Sequence, residues 1–318
     1  MLAHHTVGQT TMTDKRRNIL VTGTNGMLGR PLAQKLAAEG RNVVGFDLGL
    51  PQGGDPGYAV EMGELRNNKT LQDLFERYDF DGIVHCGGIS GPMVIPDRPL
   101  DVCAINITAT VQLMDLARQF GIKRFVHCSS IAAYGSIEGN APQAETGPFR
   151  PVDVYGATKA AGDALIHAYR VEHGLSGIAL RIGRVYGPGR TTRSFVKTLL
   201  ENALKGVPSR PEGDGSASYQ YIYRDDVVEA LTLALDTKET SLAAYNIGNR
   251  EMTSDFEVAE IVSNIVPGAE ITFDAMAAIT TTRSSMNIDA AARDLGFHPK
   301  VNMQAGVEAY FNWMRTQP

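Results

Sequence analysis

The chain has 318 residues, 43% of them apolar, and carries 30 Lys plus Arg against 35 Asp plus Glu, a formal net charge of −5. So much apolar material can bury a large core, as one big domain or one and a half, while the acidic balance argues against a nucleic-acid or membrane-surface protein. Cys86, Cys103 and Cys128 show neither metal-ligand nor disulfide-framework spacing, so no metal centre is expected, and free thiols in a reducing cytoplasm are.

Residues 1–17 are polar, lack the apolar core of a signal peptide, and read as a disordered leader. Apolar, β-branched runs at 18–22, 42–47, 58–61, 82–86, 123–128 and 177–182 read as strands, and amphipathic runs at 27–39, 68–78, 100–120 and 153–173 as helices between them. This alternation predicts an α/β domain over 18–188, a doubly wound parallel sheet with helices on both faces. After Pro188 the rhythm breaks, and helices at about 193–205, 225–236, 254–265 and 303–315 mix with short strands and turns. Residues 189–318 are therefore expected to form mainly a smaller α/β substrate-binding cap over the C-terminal strand edges, with later segments returning to the sheet. No run is expected to span a membrane.

The first strand is followed by Gly23-Thr24-Asn25-Gly26-Met27-Leu28-Gly29 and then a helix, the strand–glycine turn–helix context of a Rossmann-type dinucleotide site. Gly23 takes the tight turn, Gly26 lets the backbone approach a pyrophosphate, and Gly29 lets the helix pack close. The second strand ends at Asp47 with no Lys or Arg in the three residues after it. A carboxylate there accepts the adenosine ribose hydroxyls and repels a 2′-phosphate, which favours NAD over NADP. Tyr155 and Lys159, four apart, share a helical face behind Asp153 as N-cap. A free phenol titrates near ~10, so a tyrosine base near neutral pH needs a depression of roughly 2–3 units, which an ammonium and a cationic nicotinamide can supply in a dry site. Ser129 and Ser130 end the strand before it, at the edge where α/β sites are built.

Taken together, the chain resembles an extended short-chain dehydrogenase/reductase of the NAD-dependent epimerase/dehydratase family over roughly residues 18 to 315. The resemblance rests on Thr22–Gly29, Asp47, Gly63-Glu-Leu65, His85-Cys-Gly-Gly88, Asn106–Thr110, Ser129–Gly135, Tyr155-x-x-x-Lys159, Arg181–Gly189 and Tyr245-Asn-Ile-Gly248. It implies Tyr155 as proton acceptor, Lys159 as the ribose contact that lowers its pKa, Ser130 as hydrogen-bond partner of the reacting oxygen, and Asn106 in support. It further implies NAD contacts from Gly23, Asn25, Gly26, Met27, Leu28, Gly29, Asp47, Glu64, Leu65, Cys86, Gly87, Gly88, Ser129, Tyr155, Lys159 and Ile182, with Glu64 and Leu65 at the adenine. A homodimer is implied through the helices at about 100–120 and 153–173, where Val111, Met114, Leu165 and Tyr169 could form an apolar outer stripe.

Departures from the family pattern bear on the substrate. Dehydratases of the family carry an acidic pair after the catalytic hydroxyl, where this chain has Ile131 and Ala132. Nucleotide-sugar epimerases carry an Asn and an Arg where Arg184 and Tyr219 stand, a change in how an anion would be held. Gly87-Gly-Ile-Ser90 and Arg181-Ile-Gly183, followed by Arg193, resemble uronate dehydrogenases of the same superfamily. Ser90, Ser130, Arg184, Arg193, Tyr219 and Arg283 are thus the expected contacts of a sugar-like, anionic substrate. The leading expectation is NAD-dependent dehydrogenation of a small sugar acid or related polyol. The alternative is a nucleotide-sugar 4-epimerase with tightly bound NAD. A non-catalytic dinucleotide sensor would have no need of Ser130, Tyr155 and Lys159 together.

Overall fold

The computed structural model describes residues 18–135, 141–274 and 285–317. The leader expected at 1–17 lies outside them. Seven parallel strands form the central sheet in the order β10-β6-β5-β4-β1-β2-β3. They are β1 (Asn18–Thr22), β2 (Asn42–Asp47), β3 (Ala59–Met62), β4 (Phe80–His85), β5 (Arg124–Ser130), β6 (Gly177–Ile182) and β10 (Ala244–Ile247). The strand order reverses between β1 and β4, and the crevice beyond their C-terminal ends is where such sheets bind ligands.

Helices α1 (Gly29–Ala38), α7 (Arg224–Asp236) and α9 (Asp289–Leu295) cover one face, where Leu32, Leu36, Val227, Leu231 and Ala291 meet Val21, Val84 and Leu180. On the other face lie α2 (Asn68–Arg77), α4 (Ala109–Gln119) and α5 (Val154–His173), with Leu71, Leu74, Leu113, Met114 and Ile166 against Leu20, Ile83 and Phe125. Strands such as β1, β4 and β6, covered on both faces, explain why the sequence reads as continuous apolar runs there. The helix ends follow local rules: Asp153 accepts the Gly156 N–H at 2.6 Å at the start of α5, and Gly174 closes it in the left-handed region at φ 68°.

Past residue 188, α6 (Phe195–Lys205), α8 (Asp255–Ile265) and α10 (Met303–Arg315) build a separate apolar core with β9 (Tyr221–Tyr223). Short pairs β7 (Arg184–Tyr186) with β9, and β8 (Ser218–Tyr219) with β11 (Thr253–Ser254), form two ladders separate from the central sheet. The helix expected at 225–236 as part of the cap instead packs on the sheet beside α1. β10, not foreseen as a strand, adds the seventh position beside β6.

The long helix at 100–120 is also more broken than its periodicity suggests. It runs as α3 (Pro99–Cys103), a π-turn at Ala104–Thr108, and α4. By length and composition the run Pro99–Gln119 could cross a membrane, contrary to expectation, yet Val102, Ala109, Leu113, Met114, Leu116 and Ala117 are buried in this fold. Met114 of the expected outer stripe is fully buried, and Val111, Leu165 and Tyr169 pack partly against the same core.

Candidate active site

One cavity of about 610 Å³ opens at the strand-order reversal and continues under the cap. At one end the glycine turn meets α1. Gly23 has φ +73°, and a Cβ there would stand 2.7 Å from the Gly87 nitrogen. A Cβ on Gly29 would stand 2.2 Å from the Gly23 oxygen, so only glycine lets the helix start this close to the strand. No side chain caps the N-terminus of α1. The Arg30 N–H goes to the Gly26 carbonyl and Pro31 has none, so the fit for a pyrophosphate rests on the positive end of the dipole at Met27, Leu28 and Gly29, which line the cavity.

Asp47 ends β2 in the same cavity, its Oδ2 accepting the Asn25 N–H and its Oδ1 the Leu48 N–H, each at 2.7 Å. Glu64 and Leu65 lie beside it. The carboxylate of Glu64 bonds Arg66 at 3.1 Å, and that bond holds it below the usual carboxylate range. Asn25, Gly26, Met27, Leu28, Cys86, Gly87, Gly88, Ser129 and Ile182 all line the cavity, as expected of dinucleotide contacts.

At the far end stand Ser130, Tyr155 and Lys159. Ser130 is the last residue of β5 and caps the 3₁₀ turn Ile131–Ala133, its Oγ accepting the Ala132 N–H at 3.2 Å. An oxygen that accepts there keeps its own proton free to donate. Lys159 Nζ donates to the Cys128 carbonyl at 2.8 Å and lies 5.8 Å from the Tyr155 ring centroid. The ammonium has two more protons to offer. Burial holds its pKa below the ordinary lysine value.

The depressed phenol expected at Tyr155 is not produced by the chain's own groups. Burial raises it above the ordinary value, against which a hydrogen bond from Ser130 and the charge of Arg190 pull down. Lys159 is bound to a carbonyl rather than aimed at the phenol oxygen.

Asn106 is buried behind the cavity and does not line it. Its Oδ1 accepts the Ile89 N–H at 2.8 Å, and its Nδ2 donates to the Ile89 carbonyl and to Thr158 Oγ1, both at 3.1 Å. Thr158 in turn donates to the Tyr155 carbonyl at 2.7 Å. Asn106 thus clamps the loop after β4 to the first turn of α5, and the π-turn is the local distortion that aims it there. Beneath it runs a second polar string. The Gly87 N–H bonds Thr22 Oγ1, which meets His85 Nδ1 at 2.7 Å, while His85 Nε2 meets Thr110 Oγ1 at 3.0 Å. Thr110 gives its proton to the Asn106 carbonyl, which makes His85 the neutral Nε2–H tautomer.

Under the cap the expected substrate contacts divide. Ser90, Arg184 and Tyr219 line the cavity. Arg184 lies flat on Tyr219, its guanidinium carbon 3.5 Å from the ring centroid, and donates to Tyr221 Oη at 3.3 Å. Tyr221 donates on to Asp255 at 3.1 Å. Arg193 is exposed and is not among the lining residues, so the offset that nominated it does not bring it to the cavity. Arg283 lies outside the described residues. Arg190, which the sequence reading passed over, takes the place expected of Arg193 at the cavity wall. It donates to the Val185 carbonyl at 3.0 Å, and burial lowers its pKa. Among the described residues the recorded hydrogen-bond partners of Arg184 and Arg190 are the neutral Tyr221 hydroxyl and the Val185 carbonyl, neither arginine is in an ion pair, and no group of metal-binding side chains is present. The signal for Arg190 was its place in the loop leaving β7, a segment with no periodicity to say which way a side chain turns.

The model of the NAD dependent epimerase/dehydratase family matches residues 19–248. Among curated relatives, UDP-glucuronate 4-epimerase 6 of Arabidopsis thaliana is 29% identical, over 93% of this chain and 71% of its own length. Among solved structures, the UDP-glucose 4-epimerase of Thermotoga maritima with UDP-glucose superposes with a TM-score of 0.85 at 25% identity, over 94% of this chain and 98% of that one. The UDP-glucuronic acid 4-epimerase of Bacillus cereus, in complex with UDP-glucuronic acid and NAD, gives 0.81 at 25% identity, over 94% and 99%.

Proposed function

We propose that this chain, which belongs to the NAD-dependent epimerase/dehydratase family and is an NAD-dependent enzyme, is a nucleotide-sugar 4-epimerase that keeps its cofactor through turnover. The single observation that carries this reading is the placing of two arginines, Arg184 and Arg190, that form no ion pair among the described residues, in one cavity with Ser130, Tyr155 and Lys159. Guanidinium groups there are costly to desolvate without an anionic partner, and a sugar nucleotide diphosphate supplies one. The relatives named for 4-epimerisation of UDP-sugars support the same choice. Ile131 and Ala132 cannot exchange protons, which speaks against dehydration. The expectation of a free sugar-acid dehydrogenase leaned on Arg193, and it loses that support with Arg193 outside the cavity.

Bound NAD supplies the hydride acceptor and, when oxidised, a positive charge over the site. Tyr155 takes the proton of the sugar hydroxyl at its phenol oxygen. Ser130 donates its free proton to that same reacting oxygen and orients it. Lys159 keeps one proton on the Cys128 carbonyl and offers the others to the ribose. Arg184, braced by Tyr219 and Tyr221, and Arg190 hold the substrate's anion. The assembly is a homodimer through α4 and α5, measurable by sedimentation at micromolar concentration; a monomer there ends that part of the proposal.

The test is incubation of purified protein with UDP-glucose, UDP-glucuronic acid and free uronic acids. Conversion of a UDP-sugar to its C4 epimer without net NADH is the expected result. Stoichiometric NADH from a free sugar acid, with no epimer from any nucleotide sugar, overturns it.

A further inference from the structure

Two thiols meet in the floor of the cofactor cavity. β4 and β5 pair in parallel register through His85 and His127, and Cys86 and Cys128 are the next residues of each chain segment. Their sulfurs stand 3.5 Å apart. Both residues are partly accessible, and both line the cavity. Neighbouring strands in a sheet lie ~4.8 Å apart, inside the Cα separation that a disulfide tolerates. The sulfurs need to approach by only about 1.5 Å to reach bonding distance, roughly 2.05 Å. The backbone carbonyl of Cys128 holds the Lys159 ammonium at 2.8 Å. The contact between the thiols lowers Cys128 and, with burial, raises Cys86, and the Lys159 charge favours the thiolate at either sulfur.

We propose that Cys86 and Cys128 form a reversible disulfide across the floor of the dinucleotide cavity, with a hydroperoxide as oxidant and bound dinucleotide as the shield against it. The Cys128 thiolate attacks the O–O bond, takes one oxygen as a sulfenic acid, and releases the other as an alcohol, or as water from hydrogen peroxide. The Cys86 sulfur then attacks the sulfenic sulfur. The S–S bond forms, the S–O bond breaks, and the hydroxyl leaves as water with the Cys86 proton. The two sulfurs lose two electrons in all and the peroxide gains them. A dithiol reductant reverses the step by exchange. Closing the bond draws together the anchor of Lys159 and the strand end that leads into Gly87 and Gly88, so the oxidised site holds NAD less well. Cys103 lies on α3 and does not line the cavity. It has no part in the reaction.

The experiment uses the full chain, reduced and freed of dinucleotide, with hydrogen peroxide as the probe. Expected are loss of two hydrogens in intact mass, a peptide carrying Cys86 cross-linked to one carrying Cys128, and NAD affinity weaker by roughly tenfold or more. Dithiothreitol restores the affinity. Saturating NAD added first slows the cross-link by a similar factor. Cys103→Ser reacts as the parent does, and Cys128→Ser loses the cross-link. Because Cys128→Ser could disturb folding, Cys86→Ser is the second variant: it traps the sulfenic acid on Cys128, detectable with a dimedone-type reagent. Independent oxidation of the two thiols without a cross-link, a cross-linking rate indifferent to NAD, or undiminished NAD affinity after oxidation each overturns the proposal. None of these outcomes depends on which sugar the enzyme uses.

Discussion

In the proposed reaction Tyr155 is the proton acceptor, and its surroundings raise its phenol by burial while Ser130 and Arg190 oppose that rise. Tyr155→Phe keeps the ring and removes the proton acceptor. Turnover should fall below detection while NAD binds with near-parental affinity, as calorimetry would report; near-parental turnover would mean the reacting oxygen lies elsewhere. Asp47 has both oxygens committed to backbone amides at 2.7 Å, so it cannot swing away from a 2′-phosphate. We expect at least a tenfold preference for NAD over NADP, about 1.4 kcal/mol. Equal affinity of the dinucleotide-free protein for the two cofactors would refute it.

The loop after β4 and the start of α5 are separate in sequence and joined through one side chain. Asn106 answers both the N–H and the carbonyl of Ile89, and reaches Tyr155 through Thr158. Asn106→Ala leaves these buried groups unpaired, at about 1–3 kcal/mol for each that water does not reach. Thermal unfolding should shift down by an amount that matches a loss of ~2–4 kcal/mol, and the affinity for NAD should weaken because Gly87 and Gly88 lie on the same loop. Unchanged stability and unchanged NAD binding would show that the clamp carries no energy. The π-turn that aims Asn106 costs regular helix hydrogen bonding, and this clamp is what offsets it.

Across the sheet, acid sensitivity follows from two stacked imidazoles, His85 and His127, with ring centroids 5.6 Å apart. Burial, with Lys159 adding to it, pulls His85 down to about 3 and carries His127 well below its ordinary value. Both fold in the neutral form. Their folded pKa values lie below the unfolded value of ~6.5, so between the two the unfolded chain binds more protons. Stability is full above about pH 6.5 and falls as pH drops toward 3, by ~1.4 kcal/mol per pH unit for each histidine. Urea unfolding at pH 5 should therefore give a stability lower than at pH 7.5 by about 2 kcal/mol from His85 alone, and more with His127. His85→Gln should remove a large part of that slope. A flat profile between those pH values would contradict the buried neutral pair.

The sequence by itself determined the parallel α/β sheet, the glycine turn, Asp47 and the Tyr155–Lys159 pair, because each of these is written in spacing within one element or between chain neighbours. Asp153 as cap of α5 was legible for the same reason. The tertiary structure alone decided matters that depend on which distant segments meet. It brought Arg190 rather than Arg193 to the cavity, set β10 beside β6, and returned α7 to the sheet. Asn106 needed Ile89, 17 residues away, to reveal its role, and the two cavity thiols needed adjacent strands, 42 residues apart in the chain. Periodicity reports the face of a helix or strand that is buried; it carries no record of what lies across from that face, and loop side chains have no period at all.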